Sequence, residues 1–420
     1  MRGLLISLFL FVIYFSSCAS ASSDSLKIAV LTDIHFLSKS LALEGDAVTL
    51  YENSTGRNVP ELHEVLDKVL YDLQNENIDI LLITGDISNH GELQSHLDFI
   101  EKLQPIADLG TRVFVIPGNH DINVPDAKAY LIDHSNPTET ISKEGFTDLY
   151  GAFGYNNALS RDSSSLSYLA EIDEHTWLIA FDSNRYEEHT TTSITGGRIK
   201  SETMEWALDL LQEAQEKNIR VLGMMHHGLV EHMPFQNSFF PDYLIEDWQN
   251  RADMLADAGL KVIFTGHFHS NDITLRTTTN GNEIYDVETA SLAQYPFAYR
   301  IMKLNNSKLF IDTRFITSIQ SNQNLDKEYQ EKLKSITRKV AESRLSSLGM
   351  PIPLELNSII TDLVVKLNMA HVRGDEKPDL ELMLAIRAFA SFLGNEVSVA
   401  DYSFDFPPQD NKLEIEFAVP

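Results

Sequence analysis

Cysteine occurs once in this chain of 420 residues, at Cys18. A single thiol excludes an intramolecular disulfide, so stability has to come from a packed core. Basic residues are scarce as well: Lys and Arg number 33 against 61 Asp and Glu, a formal net charge of -28. That balance argues against a basic face for nucleic-acid polymers. No internal repeat and no long low-complexity tract interrupts the chain. The apolar run Leu4 to Phe15, behind the basic start Met1-Arg2-Gly3, is too short to span a bilayer. It reads as a secretory signal.

What is present is a series of five short apolar runs, each ending in metal-binding residue types. Lys27 to Thr32 runs into Asp33-Ile34-His35, Ile80 to Thr84 into Gly85-Asp86, and Val113 to Pro117 into Gly118-Asn119-His120-Asp121. Val221 to Met225 then leads to His226-His227, and Val262 to Thr265 to Gly266-His267-Phe268-His269. Runs of this length, separated by longer helix-like stretches, predict the buried strands of an α/β sheet. Ligands of such sheets collect beyond the carboxyl ends of the strands, so the five sets are expected to meet at one site.

Asp and Asn offer hard oxygens and neutral imidazole a borderline nitrogen, a mixture that suits Mn, Fe, Zn or Co. Seven candidate ligands exceed the needs of one tetrahedral ion. They suit two divalent ions about 3.5 to 4 Å apart, bridged by a carboxylate, an arrangement used for in-line displacement at phosphorus.

The ordered set Asp-x-His, Gly-Asp, Gly-Asn-His-Asp, His and Gly-His-x-His resembles the calcineurin-like metallophosphoesterases over roughly residues 27 to 300. The resemblance implies a four-layer α/β/β/α sandwich. It also implies one metal held by Asp33, His35, Asp86 and His269 and a second held by Asp86, Asn119, His226 and His267, with Asp86 as the bridge. His120 would be the acid near the leaving group and Asp121 the residue that orients it. His227 could support a ligand from behind, contact the substrate or replace His226. Within the family, Gly85-Asp86-Ile87-Ser88-Asn89-His90-Gly91 and Pro117 to Asn123 look most like the class III cyclic-nucleotide phosphodiesterases, which makes a cyclic nucleotide the expected substrate. A phosphomonoester or a phospholipid headgroup is the alternative. The run from Phe153-Gly154-Tyr155 through Ser160-Arg161-Asp162 to Leu166-Ser167-Tyr168-Leu169 is similar to secreted Gram-positive lipoprotein members with an added C-terminal helical region.

The other histidines carry no role in this reading. His90, His189 and His232 are expected at the surface or a pocket edge, and His63, His96, His134, His175 and His371 have no assignment. Arg57, Arg185 and Arg198, basic residues near the motifs, are read as solvated surface residues, with assistance at the site as the alternative. At the front, Phe15-Ser16-Ser17-Cys18 resembles a bacterial lipobox, with Phe where Leu is usual. The expectation is an extracytoplasmic protein held to the membrane by lipid on Cys18, the alternative being cleavage after Ala21 to give a soluble secreted form.

The expected organisation is therefore a signal over 1–18, a linker over 19–26, a catalytic domain over 27–320 and a mainly helical domain over 321–420. In the last of these, Tyr329, Leu333, Ile336 and Val340 recur at helical spacing, as do Leu356, Ile360, Leu363 and Leu367. A third helix is expected over 379–393. Asn280-Gly281-Asn282 marks a hairpin between two strands.

Overall fold

The computed structural model describes residues 25–234, 236–347, 354–374 and 407–417, together with 376, 380, 383 and 384. The signal segment, Cys18, most of the linker and most of the helix expected over 379–393 lie outside the described residues.

Fifteen strands are described: β1 (Leu26–Leu31), β2 (Ile80–Ile83), β3 (Arg112–Val115), β4 (Lys128–Leu131), β5 (His134–Pro137), β6 (Ser160–Arg161), β7 (Tyr168–Asp173), β8 (Thr176–Phe181), β9 (Arg220–Met225), β10 (Val262–Thr265), β11 (Asp272–Thr277), β12 (Glu283–Glu288), β13 (Ala298–Leu304), β14 (Lys308–Phe315) and β15 (Lys412–Glu416). The helices are α1 (Asp46–Thr55), α2 (Leu62–Glu76), α3 (Leu93–Asp108), α4 (Lys143–Leu149), α5 (Ser201–Glu216), α6 (Gln236–Phe239), α7 (Trp248–Asp257), α8 (Leu325–Ser347) and α9 (Leu354–Arg373).

One sheet has the order β15-β14-β13-β1-β2-β3 and the other β11-β12-β10-β9-β8-β7-β6, while β4 and β5 form a separate hairpin. In the first sheet β1, β2 and β3 run parallel; in the second β8, β9, β10 and β12 do. Alternation along the strands shows how the layers stack. Leu178 and Ala180 of β8 join the core that also holds the first sheet and the stripes Val65, Leu66, Val69, Leu73 of α2 and Phe99, Leu103, Ile106 of α3. Trp177, Ile179 and Phe181 on the opposite face of β8 pack with Met204, Ala207 and Leu211 of α5 and Ala252 and Leu255 of α7. A period of two on the strand against 3.6 on the helix thus gives helix, sheet, sheet, helix: the α/β/β/α sandwich.

The hairpin around Gly281 forms as expected, with Asp272 paired to Glu288 and Thr277 to Glu283. Helices α8 and α9 form over the two predicted periodic stretches and pack on each other, Asn368 Nδ2 donating to Thr337 Oγ1 at 2.9 Å. The C-terminal part is not only helical, because β15 adds to the open edge of β14 with Leu309 opposite Ile415.

Candidate metal centre

Each expected ligand set lies just past the end of a strand, at one end of the sandwich. The loops after β1 and β2 remain in step: the amides of Asp33, His35 and Phe36 donate to the carbonyls of Gly85, Asp86 and Ile87 at 3.1, 2.9 and 2.8 Å. Within these turns Asp33, His35, Asp86, His267 and His269 have φ values of 48°, 44°, 49°, 74° and 61°. The left-handed region costs a non-glycine residue roughly 1–3 kcal/mol, so the surrounding hydrogen bonds must impose it.

Two glycines of the motifs exist for close approach. A Cβ on Gly118 would collide with the amide nitrogen and Oδ1 of Asp86, and one on Gly266 with Thr32 Oγ1 and Asp33 Oδ2. Gly118→Ala must therefore push Asp86 out of place. A displacement of an ångström at such a site costs about a hundredfold in rate. We expect a folded protein with at least that loss and reduced metal content by elemental analysis.

The seven predicted ligands do converge. Donor atoms of Asp33, His35, Asp86 and His269 lie within 4.8 Å of one another, and so do those of Asp86, His226 and His267. Asp86 belongs to both sets: its Oδ2 is 3.6 Å from His35 Nε2 and its Oδ1 3.4 Å from His226 Nε2. Asn119 Oδ1 lies 3.2 Å from His226 Nε2, while its Nδ2 faces Ser193 Oγ at 3.5 Å. His35 Nε2 and His269 Nε2 approach to 3.2 Å, and His269 Nε2 is 3.0 Å from Asp33 Oδ1.

The remaining ring nitrogens are held from behind. His226 Nδ1 meets the Thr84 carbonyl at 2.9 Å and His267 Nε2 that of Asp242 at 3.2 Å, which fixes the tautomer and leaves the other nitrogen as donor to an ion. At His269 the Gln294 side-chain amide abuts Nδ1. With its oxygen turned to the ring it leaves Nε2 free to ligate.

The electrostatics fit a cationic occupant. Burial works against ionisation of Asp86, yet the imidazoles of His226 and His120 outweigh it and hold the carboxyl well below its usual range. Burial likewise lowers the proton affinity of His226, but Asp86 and Asp33 push its pKa up to about 9. The buried carboxylates thus recruit a proton where two divalent ions would sit, and the oxygen and imidazole donors suit such ions.

His120 stands beside both ligand sets. Its Nδ1 has no hydrogen-bond partner and its Nε2 lies 3.5 Å from Arg57 Nη2. Its ring meets those of His35 and His90 edge-on, with centroids 5.3 and 4.9 Å away. Burial pulls its pKa well below the usual imidazole value; Asp86 opposes this, and Arg57 and His90 reinforce it.

Several expectations are corrected. Asp121 does not orient the His120 ring. Its Oδ1 accepts from the amide and hydroxyl of Ser88, both at 2.8 Å, and its Oδ2 from the amides of Ile87 at 3.1 Å and Gly118 at 2.8 Å. These four donors make it the clasp that joins the loop after β2 to the loop after β3. Arg57, read as a solvated residue, is only 9% exposed and donates to Tyr51 Oη at 2.7 Å and Asn89 Oδ1 at 3.0 Å. No motif marks it, since its place is set by the end of α1. His232 and His371 are buried as well, at 0% and 7% exposure. His96 bridges Tyr150 Oη and the Asp121 carbonyl at 2.9 and 3.0 Å.

His227 is committed on both nitrogens, to Ser183 Oγ at 2.8 Å and the Thr195 carbonyl at 2.9 Å, which leaves the ligand position to His226. Arg185 and Arg198 pair with Glu188 and Glu246 near the surface.

Residues 26–271 match the family model described as calcineurin-like phosphoesterase. Over 207 residues the chain is 25% identical to a 3',5'-cyclic adenosine monophosphate phosphodiesterase of Haemophilus influenzae, covering 48% of this chain and 59% of that protein. Over 59 residues it is 39% identical to a probable cyclic nucleotide phosphodiesterase of Vesicomyosocius okutanii, covering 14% of this chain and 24% of that one. The chain thus matches less than two thirds of the length of either relative. Among solved structures, a dimetal phosphatase from Danio rerio superposes with a TM-score of 0.49 at 12% identity, covering 69% of this chain and 96% of that one. A purple acid phosphatase from yellow lupin (Lupinus luteus) gives 0.42 at 15% identity, covering 70% and 52%.

Proposed function

The chain belongs to the calcineurin-like phosphoesterase family, and from that premise we propose that it hydrolyses phosphodiesters, cyclic nucleotides first among them, at a centre of two divalent ions. The observation that carries this reading is Asp86, whose two oxygens face two different sets of imidazoles. Asp33, His35, Asp86 and His269 would hold one ion, and Asp86, Asn119, His226 and His267 the other. Two such ions supply an acidified water and neutralise charge on the phosphoryl oxygens.

The protein's own groups then supply position and a proton. Asp121 keeps the loops carrying Asp86 and Asn119 at a fixed separation. Arg57, anchored by Tyr51 and Asn89, presents a cation beside His120 and is placed to bind the anionic ester. His120, outside both ligand sets, can hold a proton against the departing oxygen.

Support for a cyclic nucleotide comes from the names of the two relatives and from the Asn89-His90-Gly91 segment, whose histidine lies against His120. A hydrolysis panel of cyclic nucleotides, glycerophosphodiesters and matched monoesters, run with Mn, Fe and Zn separately, tests the reading. A cyclic nucleotide should give the highest kcat/KM, at least about tenfold above its monoester counterpart, a gap near 1.4 kcal/mol. A higher value for the monoester would replace this reading with a phosphomonoesterase.

A further inference from the structure

On the face of the β11–β12 hairpin turned away from the inter-sheet core, Asp272, Asp286 and Glu288 are all 0% exposed. Pairing of Asp272 with Glu288 and of Thr274 with Asp286 puts these carboxylates on one side, while Ile273 and Val287 point into the core between the sheets. Two histidines close over them. His232 comes from the loop after β9, its Nδ1 2.9 Å from Asp272 Oδ1 and its Nε2 3.3 and 3.5 Å from Asp286 Oδ2 and Glu288 Oε2. His371 comes from the last turn of α9, its Nδ1 3.5 Å from Asp272 Oδ2 and 2.7 Å from Oε1 of the following Glu376.

Part of this cluster is satisfied. Asp286 accepts from the Leu229 and Val230 amides and from Thr265, and Glu288 Oε1 from Ser270. Five buried atoms of these residues make no hydrogen bond, Asp272 Oδ2, Glu288 Oε2, Glu376 Oε2, His232 Nε2 and His371 Nε2, although His232 Nε2 and Glu288 Oε2 face each other at 3.5 Å and Asp272 Oδ2 faces His371 Nδ1 at 3.5 Å. Each orphan in a dry interior costs about 1–3 kcal/mol, so so many in one place call for an occupant.

The donor chemistry says which. Carboxylate oxygens only accept, and four of them (Asp272, Asp286, Glu288, Glu376) face at most two imidazolium charges. Arg300 beside them donates to the main-chain carbonyls of Asp272 and Glu288, which still leaves one negative charge in excess when all four carboxyls are ionised. We propose that Asp272, His371 and Glu376 bind a third divalent cation, a first-row metal such as Zn or Mn, in a structural site separate from the dimetal centre. Donor atoms of these three residues lie within 4.8 Å of one another. Two carboxylates and an imidazole are a common ligand set for such ions. His232 and Glu288 form the wall of the same chamber.

The site would fasten the C-terminal helices to the catalytic layers. His371 lies in the last turn of α9 and Glu376 three residues past its end, whereas Asp272 lies three residues beyond His269. Phe268 of that ligand loop packs against the His371 ring with centroids 5.5 Å apart. Neighbouring bonds run the same way, from the Ile273 amide to Asp410 Oδ1 and from Asn271 Nδ2 to Asn411 Oδ1, each at 2.8 Å. Nearby carboxylates raise the proton affinity of His371 against the effect of burial, so protons and the cation compete for one place.

The test counts ions on the full chain, stripped with chelator, reloaded with Zn or Mn and desalted. Wild type should hold three ions and Asp86→Asn, which empties the dimetal centre, one. Glu376→Gln should hold two, keep hydrolysis within about threefold and lose part of the metal-dependent rise in melting temperature. His371→Gln should do the same, and it decides the matter if Glu376→Gln does not fold. Two ions in wild type and none in Asp86→Asn would overturn the site and leave the cluster as an ion-pair network, without touching the reading of the dimetal centre.

Discussion

Asp86→Ala is expected to leave the protein without either catalytic ion and with hydrolysis lowered by more than a thousandfold. Its two oxygens face His35 and His226 from opposite sides, so a single truncation opens both ligand sets. Loss of one transition-state donor costs about 10²–10³ in rate, and losing both ions must exceed that. Asp86 Oδ1 also accepts the His120 amide at 2.9 Å, so part of the effect could come from a displaced loop. Asp86→Asn separates the two causes, because it keeps an acceptor for that amide while removing the charge. It should fold normally by circular dichroism and still lose both ions. Asn119→Ala, which touches one set only, should keep one ion tightly bound and weaken the other. Tight retention of both catalytic ions by Asp86→Ala, with near-normal rates, would refute the bridge.

His120→Ala should show a loss that depends on the leaving group. The ring lies outside both ligand sets, with one nitrogen unpartnered and the other beside Arg57. A ribose alkoxide needs a proton to depart, whereas nitrophenolate leaves unaided. The variant should therefore keep both ions, lose on the order of a hundredfold or more on a cyclic nucleotide and lose far less on bis-nitrophenyl phosphate. Equal losses on both substrates, with metals retained, would mean that His120 binds the phosphoryl group instead. Asp121→Asn should behave differently from His120→Ala, because its carboxylate clasps the loop amides and not the ring. Its loss should be similar on the two substrates and accompanied by lower metal content.

The convergence of the candidate ligands was legible in the sequence because the strands that carry them are buried on both faces. Ile80–Ile83 and Val262 to Phe264 are uninterrupted apolar runs for that reason, and the residues after such a run have little freedom over where they point. Side-chain partners were less legible. The family resemblance implied that Asp121 serves His120, but the tight turn in which the Asp121 amide bonds the Gly118 carbonyl sends the carboxylate back toward the amides. His232 and His371 both meet Asp272, 40 or more residues distant in sequence, and nothing local announces their burial. Arg57 likewise depends on Tyr51 and Asn89 for its direction. In β15 the signal was present, since Leu413 and Ile415 alternate with charged neighbours. A short edge strand beyond a helical region is easily overlooked.

The left-handed turns at Asp33, His35, Asp86, His267 and His269 set durability against purpose along the same few bonds. Glycine at any of these positions would relax the chain and delete a donor in one step. Chemistry is kept here at the expense of ruggedness, and selection for survival of heat alone would reward inert descendants. A breeding scheme for a tougher catalyst should therefore leave these five positions untouched and seek its gains in the helices and on the outer surface.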